Sequence, residues 1–124
     1  MNPDELREYL LAKPAVIEET PFGPDVLVYK VKGKMFATLG FEIEDGMEVG
    51  RTNLKCDPDR AVELRANHDA IVPGYHMNKR HWNTLFLDGS LKPKLVREHC
   101  DHSYALVVAK LPTALMSSSP EVYR

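Results

Sequence analysis

The chain is poor in cysteine. It has two, Cys56 and Cys100, far apart and without a Cys-x-x-Cys pattern. That argues against a disulfide framework, and it suits reduced, packed thiols in a cytoplasm. No apolar run approaches the roughly 20 residues of a membrane helix. The opening "MNPDELREYLL" is acidic, with no basic segment ahead of an apolar core, so a secretory signal is not expected either. The 7 glycines stand singly, which rules out a glycine-rich phosphate loop. Charge of one sign is also lacking: 16 Lys and Arg against 18 Asp and Glu give a net charge of -2. A strongly basic protein is excluded, although the balance is uneven along the chain. Residues 1–70 hold 9 basic against 14 acidic residues, a balance of -5, and residues 71–124 hold 7 against 4, a balance of +3.

What is present fits one globular domain: 124 residues, 44% hydrophobic and 27% charged. A chain of this size buries over ~60% of its unfolded surface, so it needs no metal as a scaffold. The expected domain covers 1–112, with 113–124, "TALMSSSPEVYR", as a frayed tail. Asn2, Pro3, Asp4 and Glu5 read as an N-cap, a first-turn proline and two carboxylates at the positive end of a helix over about 3–13. From Val16 to Cys56 short β-rich runs follow. Val26, Val28 and Lys30 alternate with Leu27, Tyr29 and Val31, and Met35, Ala37, Leu39 and Phe41 mark one face of the next strand. Gly33 and Asp45-Gly46 supply two tight turns, giving three antiparallel strands before residue 57. Asp57 and Pro58 open a second helix to about 68, and "IVPGY" breaks it. "HWNTLFLDG" is a strand with two apolar faces, hence central in its sheet. The remainder has a helical stripe through Leu95, Val96, Cys100, Tyr104, Val107 and Leu111. Asp101 and Ser103 would divide that stripe into two helices by capping. The fold class expected is α+β, a two-layer sandwich of a mostly antiparallel sheet with N-terminal, middle and C-terminal helices.

The densest cluster of chemistry is "GYHMNKRHWNTLFLDGS", residues 74–90. Together with "DHSYALVVAKLP" and the hairpin-rich middle, it resembles the MmcQ/YjbR family, whose members carry a similar "YHxNKxHW" core, a "DG" turn and a "D-x-SY-x-LV" helix. The resemblance covers about residues 2–112. It implies a fold similar to the frataxin or CyaY-like sandwich, with a double-wing arrangement that is often named as DNA-binding. That functional label rests on analogy of fold.

The residues themselves give several readings. For DNA, Lys79 and Arg80 would neutralise phosphates, Asn78 or Arg80 would reach base edges, and His81 would sit beside them. Hairpins at Gly33 and Asp45-Gly46, with Lys30, Lys32, Lys34 and Arg51 nearby, would serve as wings. Glu42, Glu44, Asp45 and Glu48 oppose this by repelling phosphate. The alternative partner is an unknown protein or a small ligand, with a pocket lined by Tyr75, His76, Trp82 and Tyr104 as its mark. No metal site is expected. His68, His76, His81, His99 and His102 lack a His-x3-His or Glu-x-x-His spacing backed by further ligands. Nor is catalysis expected, since Asp101, His102, Ser103 and Tyr104 point to different sides of a helix. No cofactor is implied. Within the cluster, Trp82 belongs to a core, while His76 and Asn78 are types that hold a turn through backbone hydrogen bonds.

Overall fold

The computed structural model describes residues 1–112, apart from the side chains of Glu42 and Glu44. The expected tail, 113–124, lies outside the described residues. Helix α1, Pro3–Leu11, begins with a capping box. The Asn2 side chain accepts from the Glu5 N–H at 2.8 Å, and the Glu5 carboxylate accepts from the Asn2 N–H at 3.0 Å. It stops two residues short of the expected end, and Ala15 at φ 63° turns the chain into strand β1, Val16–Glu19. Strands β2, Val26–Val31, β3, Lys34–Glu44, and β4, Met47–Lys55, follow. Their two turns, Lys32-Gly33 and Asp45-Gly46, place both central residues at positive φ, as the Asp-Gly pair predicts. Helix α2, Pro58–Asn67, starts at the Asp57 cap, whose carboxylate accepts from the Asp59 N–H at 3.1 Å. Strands β5, Ile71–Pro73, and β6, Trp82–Leu87, and helix α3, Pro93–Ala109, complete the described elements.

The six strands form one antiparallel sheet in the order β1-β2-β3-β4-β6-β5, with β6 inside it as its two-sided apolar pattern predicts. The fold is α+β. Leu6 and Leu10 from α1 and Val96, Cys100 and Val107 from α3 bury against Tyr29, Phe36, Leu39, Leu54 and Leu85 on one face of the sheet. A bulge at Tyr29/Lys30 turns both Phe36 and Ala37 into this core. Among the described residues no helix is long and apolar enough to cross a membrane.

Three expectations need correction. The β-rich segment before residue 57 has four strands, because the short, charged Val16–Glu19 also pairs, along Val28–Val31 of β2. "IVP" forms the edge strand β5 instead of a simple break. Finally, α3 is one helix: Asp101 and Ser103 do not cap, since their side chains are drawn into tertiary bonds. Asp101 accepts from Tyr9 Oη at 2.6 Å and from Lys13 Nζ at 2.5 Å. His102 Nε2 accepts from the Asp57 N–H at 3.1 Å. Ser103 Oγ accepts from the Lys55 N–H at 2.9 Å and donates to the Phe36 carbonyl at 2.5 Å. Tyr104 Oη donates to the Pro14 carbonyl at 2.6 Å, and its ring packs edge-on against Phe36. The tetrapeptide "DHSY" therefore ties one helix to α1, the α2 cap, two strands and the turn before β1.

Candidate functional site on the uncovered sheet face

Strand registers put Val28, Thr38, Asn53 and Thr84 in one row on the face away from the helices, with Val26, Gly40 and Arg51 in the next. Part of this face is roofed by the 74–81 loop. Gly74 donates its N–H to the Trp82 carbonyl at 2.8 Å. A Cβ on Gly74 would lie 2.7 Å from Trp82 Cβ, so only glycine permits this approach. Tyr75 is fastened at both backbone groups. Its N–H donates to Thr84 Oγ1 at 2.8 Å, and its carbonyl accepts from Asn53 Nδ2 at 3.3 Å. Thr84 and Asn53 are themselves joined, Oγ1 to Oδ1, at 2.5 Å.

The rest of the loop is held from within. Lys79 Nζ donates to the Gly74 carbonyl at 3.1 Å, and Asn78 Oδ1 accepts from the Arg80 N–H at 3.0 Å. From α2, Arg65 donates to the Lys79 carbonyl, and to Asn83 Oδ1 at 2.7 Å. Because a guanidinium only donates, Asn83 must present its oxygen to Arg65 and its amide nitrogen to His99 Nε2, 3.2 Å away. His99 then carries its proton on Nδ1, which finds no partner among the described residues. Burial pushes the His99 imidazole down to about 4.

Between loop and sheet lies a pocket of about 350 Å³ lined by Phe22, Val26, Met35, Thr38, Gly40, Arg51, Asn53, Tyr75, His76 and Met77. The Arg51 guanidinium carbon sits 4.5 Å from the centre of the Tyr75 ring, and the His76 ring meets that ring edge-on at 4.3 Å. His76 adopts φ 57°, an uncommon conformation for a residue other than glycine, which sets its ring at the pocket wall.

The structure separates the residues expected at a site. Arg51, Tyr75 and His76 meet at the pocket. Trp82 and Tyr104 do not join them: Trp82 is buried at the root of the loop, and Tyr104 packs on the helix side. Asn78 shapes the turn as expected, Arg80 is exposed, and His81 is half-buried, its carbonyl accepting from the Cys56 N–H at 2.8 Å. Lys32 and Lys34 lie at the same end of the sheet as the loop, since Lys55, at the end of β4 next to them, pairs with Trp82. The Asp45-Gly46 hairpin lies at the opposite end. The two proposed wings thus cannot flank Lys79 and Arg80 together. Thr38, Gly40, Asn53 and Met77 went unnoticed as site residues. The available signal was alternation, because Thr38 and Gly40 interleave with the core residues Ala37 and Leu39 and must face the other way.

Burial pushes the Cys56 thiol up to about 11 and the Cys100 thiol up to about 12. Among the described residues no group of three or more His, Cys, Asp or Glu is placed to hold a metal ion.

An antiparallel sheet with helices on one face, and a loop-roofed pocket on the other, defines the class: a small α+β domain with a pocket on its open sheet face. The YjbR family model matches residues 11–106, and the chain belongs to that family. It is 35% identical over 112 residues to the uncharacterized protein YjbR of Escherichia coli K12, covering 90% of this chain and 92% of that protein. It is 38% identical over 88 residues to the uncharacterized protein YbdF of Escherichia coli O157:H7, covering 71% and 69%. The crystal structure of Deinococcus radiodurans DR2400, with a DUF419 domain, superposes with a TM-score of 0.83 at 37% identity, covering 94% of this chain and 86% of that one. A Pseudomonas syringae crystal structure gives 0.76 at 29% identity, covering 86% and 98%.

Proposed function

We propose that the protein is a non-enzymatic small-ligand-binding module whose site is the pocket on the uncovered sheet face. The carrying observation is the division of labour within the family motif. Asn78, Lys79 and Trp82 build the loop, while Tyr75 and His76 line the cavity. A largely apolar cavity of a few hundred Å³ with a few polar groups is the usual form of a small-molecule site. The two buried free cysteines favour work in a reducing compartment such as the cytoplasm.

Gly40→Leu tests this. A Cβ at Gly40 meets the Asp25 carbonyl at 3.7 Å and Val26 Cγ2 at 3.9 Å, ordinary contacts, so the backbone accepts the change while the side chain enters the pocket. Titration with the neutral aromatic probe 1-naphthol is expected to show saturable binding that weakens at least about tenfold in Gly40→Leu. The melting temperature should be unchanged or higher, because glycine weakens strands. Equal affinity in the variant would sink the pocket reading.

A second reading, contact with duplex DNA, is favoured by the charge at the loop end of the sheet, where Lys32, Lys34, Lys55, Lys79, Arg80 and Lys110 gather. Lys79→Ala with Arg80→Ala should then flatten the salt dependence of duplex affinity by up to about two units in log–log slope. No duplex binding at low ionic strength, or binding indifferent to salt, would exclude it.

A further inference from the structure

Resting on the pocket reading above, we infer that the ligand is a nucleotide, its planar base seated in the uncovered-face pocket and its phosphate carried toward the lysines at the loop end of the sheet. Flat groups gather on this face in the manner of a stacking platform. Tyr75 and His76 stand at the wall, Arg51 lies over the Tyr75 ring, and Phe22, 72% exposed, stands beside them. Aromatic and guanidinium surfaces hold any base through its π-face, whatever its edge pattern. The floor also offers a polar edge. Thr38 Oγ1 accepts from the Asn53 N–H at 3.3 Å, and no described residue accepts the Thr38 hydroxyl proton.

Met35 lines this pocket and also a second recess of about 330 Å³ that holds Lys34, Lys55 and Lys110. Alternation along β4 places Arg51, Asn53 and Lys55 on one face, in steps of roughly 7 Å. The run leads from the stacked arginine to the recess. The Lys55 amine is pushed down by burial and then by Lys110, and no described carboxylate pairs with Lys34, Lys55 or Lys110. Three neighbouring ammonium groups without a partner carboxylate among the described residues make a site for phosphate oxygens. The opposite end of the sheet carries Asp45, in its hairpin turn, and Glu48 just beyond it, which repel phosphate. Orientation therefore follows from charge: base over the middle of the sheet, phosphate toward Lys55.

A free nucleotide and one unpaired nucleotide of a strand share this chemistry, so the test uses thymidine monophosphate by calorimetry and a labelled ten-residue oligothymidylate by anisotropy. Binding of at least one is expected. Tyr75→Ala should weaken it roughly five- to hundredfold, and Lys34→Ala with Lys55→Ala should reduce its salt slope by up to about two units. Tight oligomer binding with weak monophosphate binding identifies a strand, and comparable binding of both identifies the free nucleotide. If 1-naphthol binds and is excluded by Gly40→Leu while neither nucleotide probe binds or competes, the nucleotide inference falls and the pocket stands. Failure of all three probes removes both. A duplex of equal length that binds as tightly as the single strand overturns the inference, because its bases are stacked away.

Discussion

Arg65→Met should lower the free energy of unfolding by about 3 kcal/mol and the melting temperature by roughly 10 °C. The side chain of Arg65 bonds Asn83 Oδ1 at 2.7 Å, the Lys79 carbonyl, and more distantly the Trp82 carbonyl at 3.4 Å. Asn83 is fully buried, so its oxygen would be left without a donor and without water. Such an orphaned acceptor costs roughly 1–3 kcal/mol, and hydrogen bonds to a charged group contribute roughly 1.5–3 kcal/mol. Methionine keeps most of the apolar stem, which separates hydrogen bonding from packing. Arg65→Lys should recover only part of the loss, because its single ammonium nitrogen cannot reproduce the planar guanidinium whose Nε and Nη2 reach Asn83 Oδ1 and the Lys79 carbonyl separately. Urea denaturation of the three proteins would decide. A loss below about 0.5 kcal/mol in Arg65→Met would show that the loop holds without α2.

Acidification should produce a loss of similar size. The native His99 imidazole is held down to about 4 by burial, while in the unfolded chain it titrates at its ordinary value near 6.5. As pH falls, the unfolded chain takes up the proton first. Stability is complete above pH 6.5, declines between 6.5 and 4, and is lost by about 3 kcal/mol once both states are protonated. A physical cause stands beside the burial. Nε2 faces an amide donor fixed by Arg65, so a proton placed there would confront another N–H. His102, also pushed down by burial, adds in the same direction. Unfolding free energies between pH 7 and 5 should thus fall in the native protein and much less in His99→Gln. Parallel profiles would show that His99 does not set the acid limit. Carboxylates held low by their partners, Glu18 by Arg7 and Asp88 by Ser90, add their loss from the ordinary carboxylate range downward, beneath the pH 7 to 5 comparison.

Legibility differed by element. The capping box at Asn2, the Asp57-Pro58 start and the Asp45-Gly46 turn were readable because each depends on residues a few positions apart. Strand β6 was readable because a strand apolar on both faces needs cover on both. By contrast, β1 and β5 hold 4 and 3 residues, too short for periodicity to show. The continuity of α3 was misread because Asp101 and Ser103 are typical capping residues by type. Their partners, Tyr9, Lys13, Phe36 and Lys55, are distant in sequence. Of the candidate site, Arg51, Tyr75 and His76 stood out by chemistry. Thr38, Gly40 and Asn53 did not, since only sheet register brings them together.

The bonds of the "DHSY" tetrapeptide bear on how the chain becomes folded during synthesis. They join residues separated by 92, 88, 45, 48, 67 and 90 positions. A nascent chain that has passed only the first hairpins has strands available but nothing to close them. Until α3 leaves the ribosome, the Phe36 carbonyl and the Lys55 N–H lack their shared hydroxyl, and the Tyr9 and Lys13 side chains lack their carboxylate. Contacts this distant in sequence favour slow, late closure. A stalled intermediate ending before Asp101 should remain protease-sensitive through β3 and β4, even with both hairpins already made.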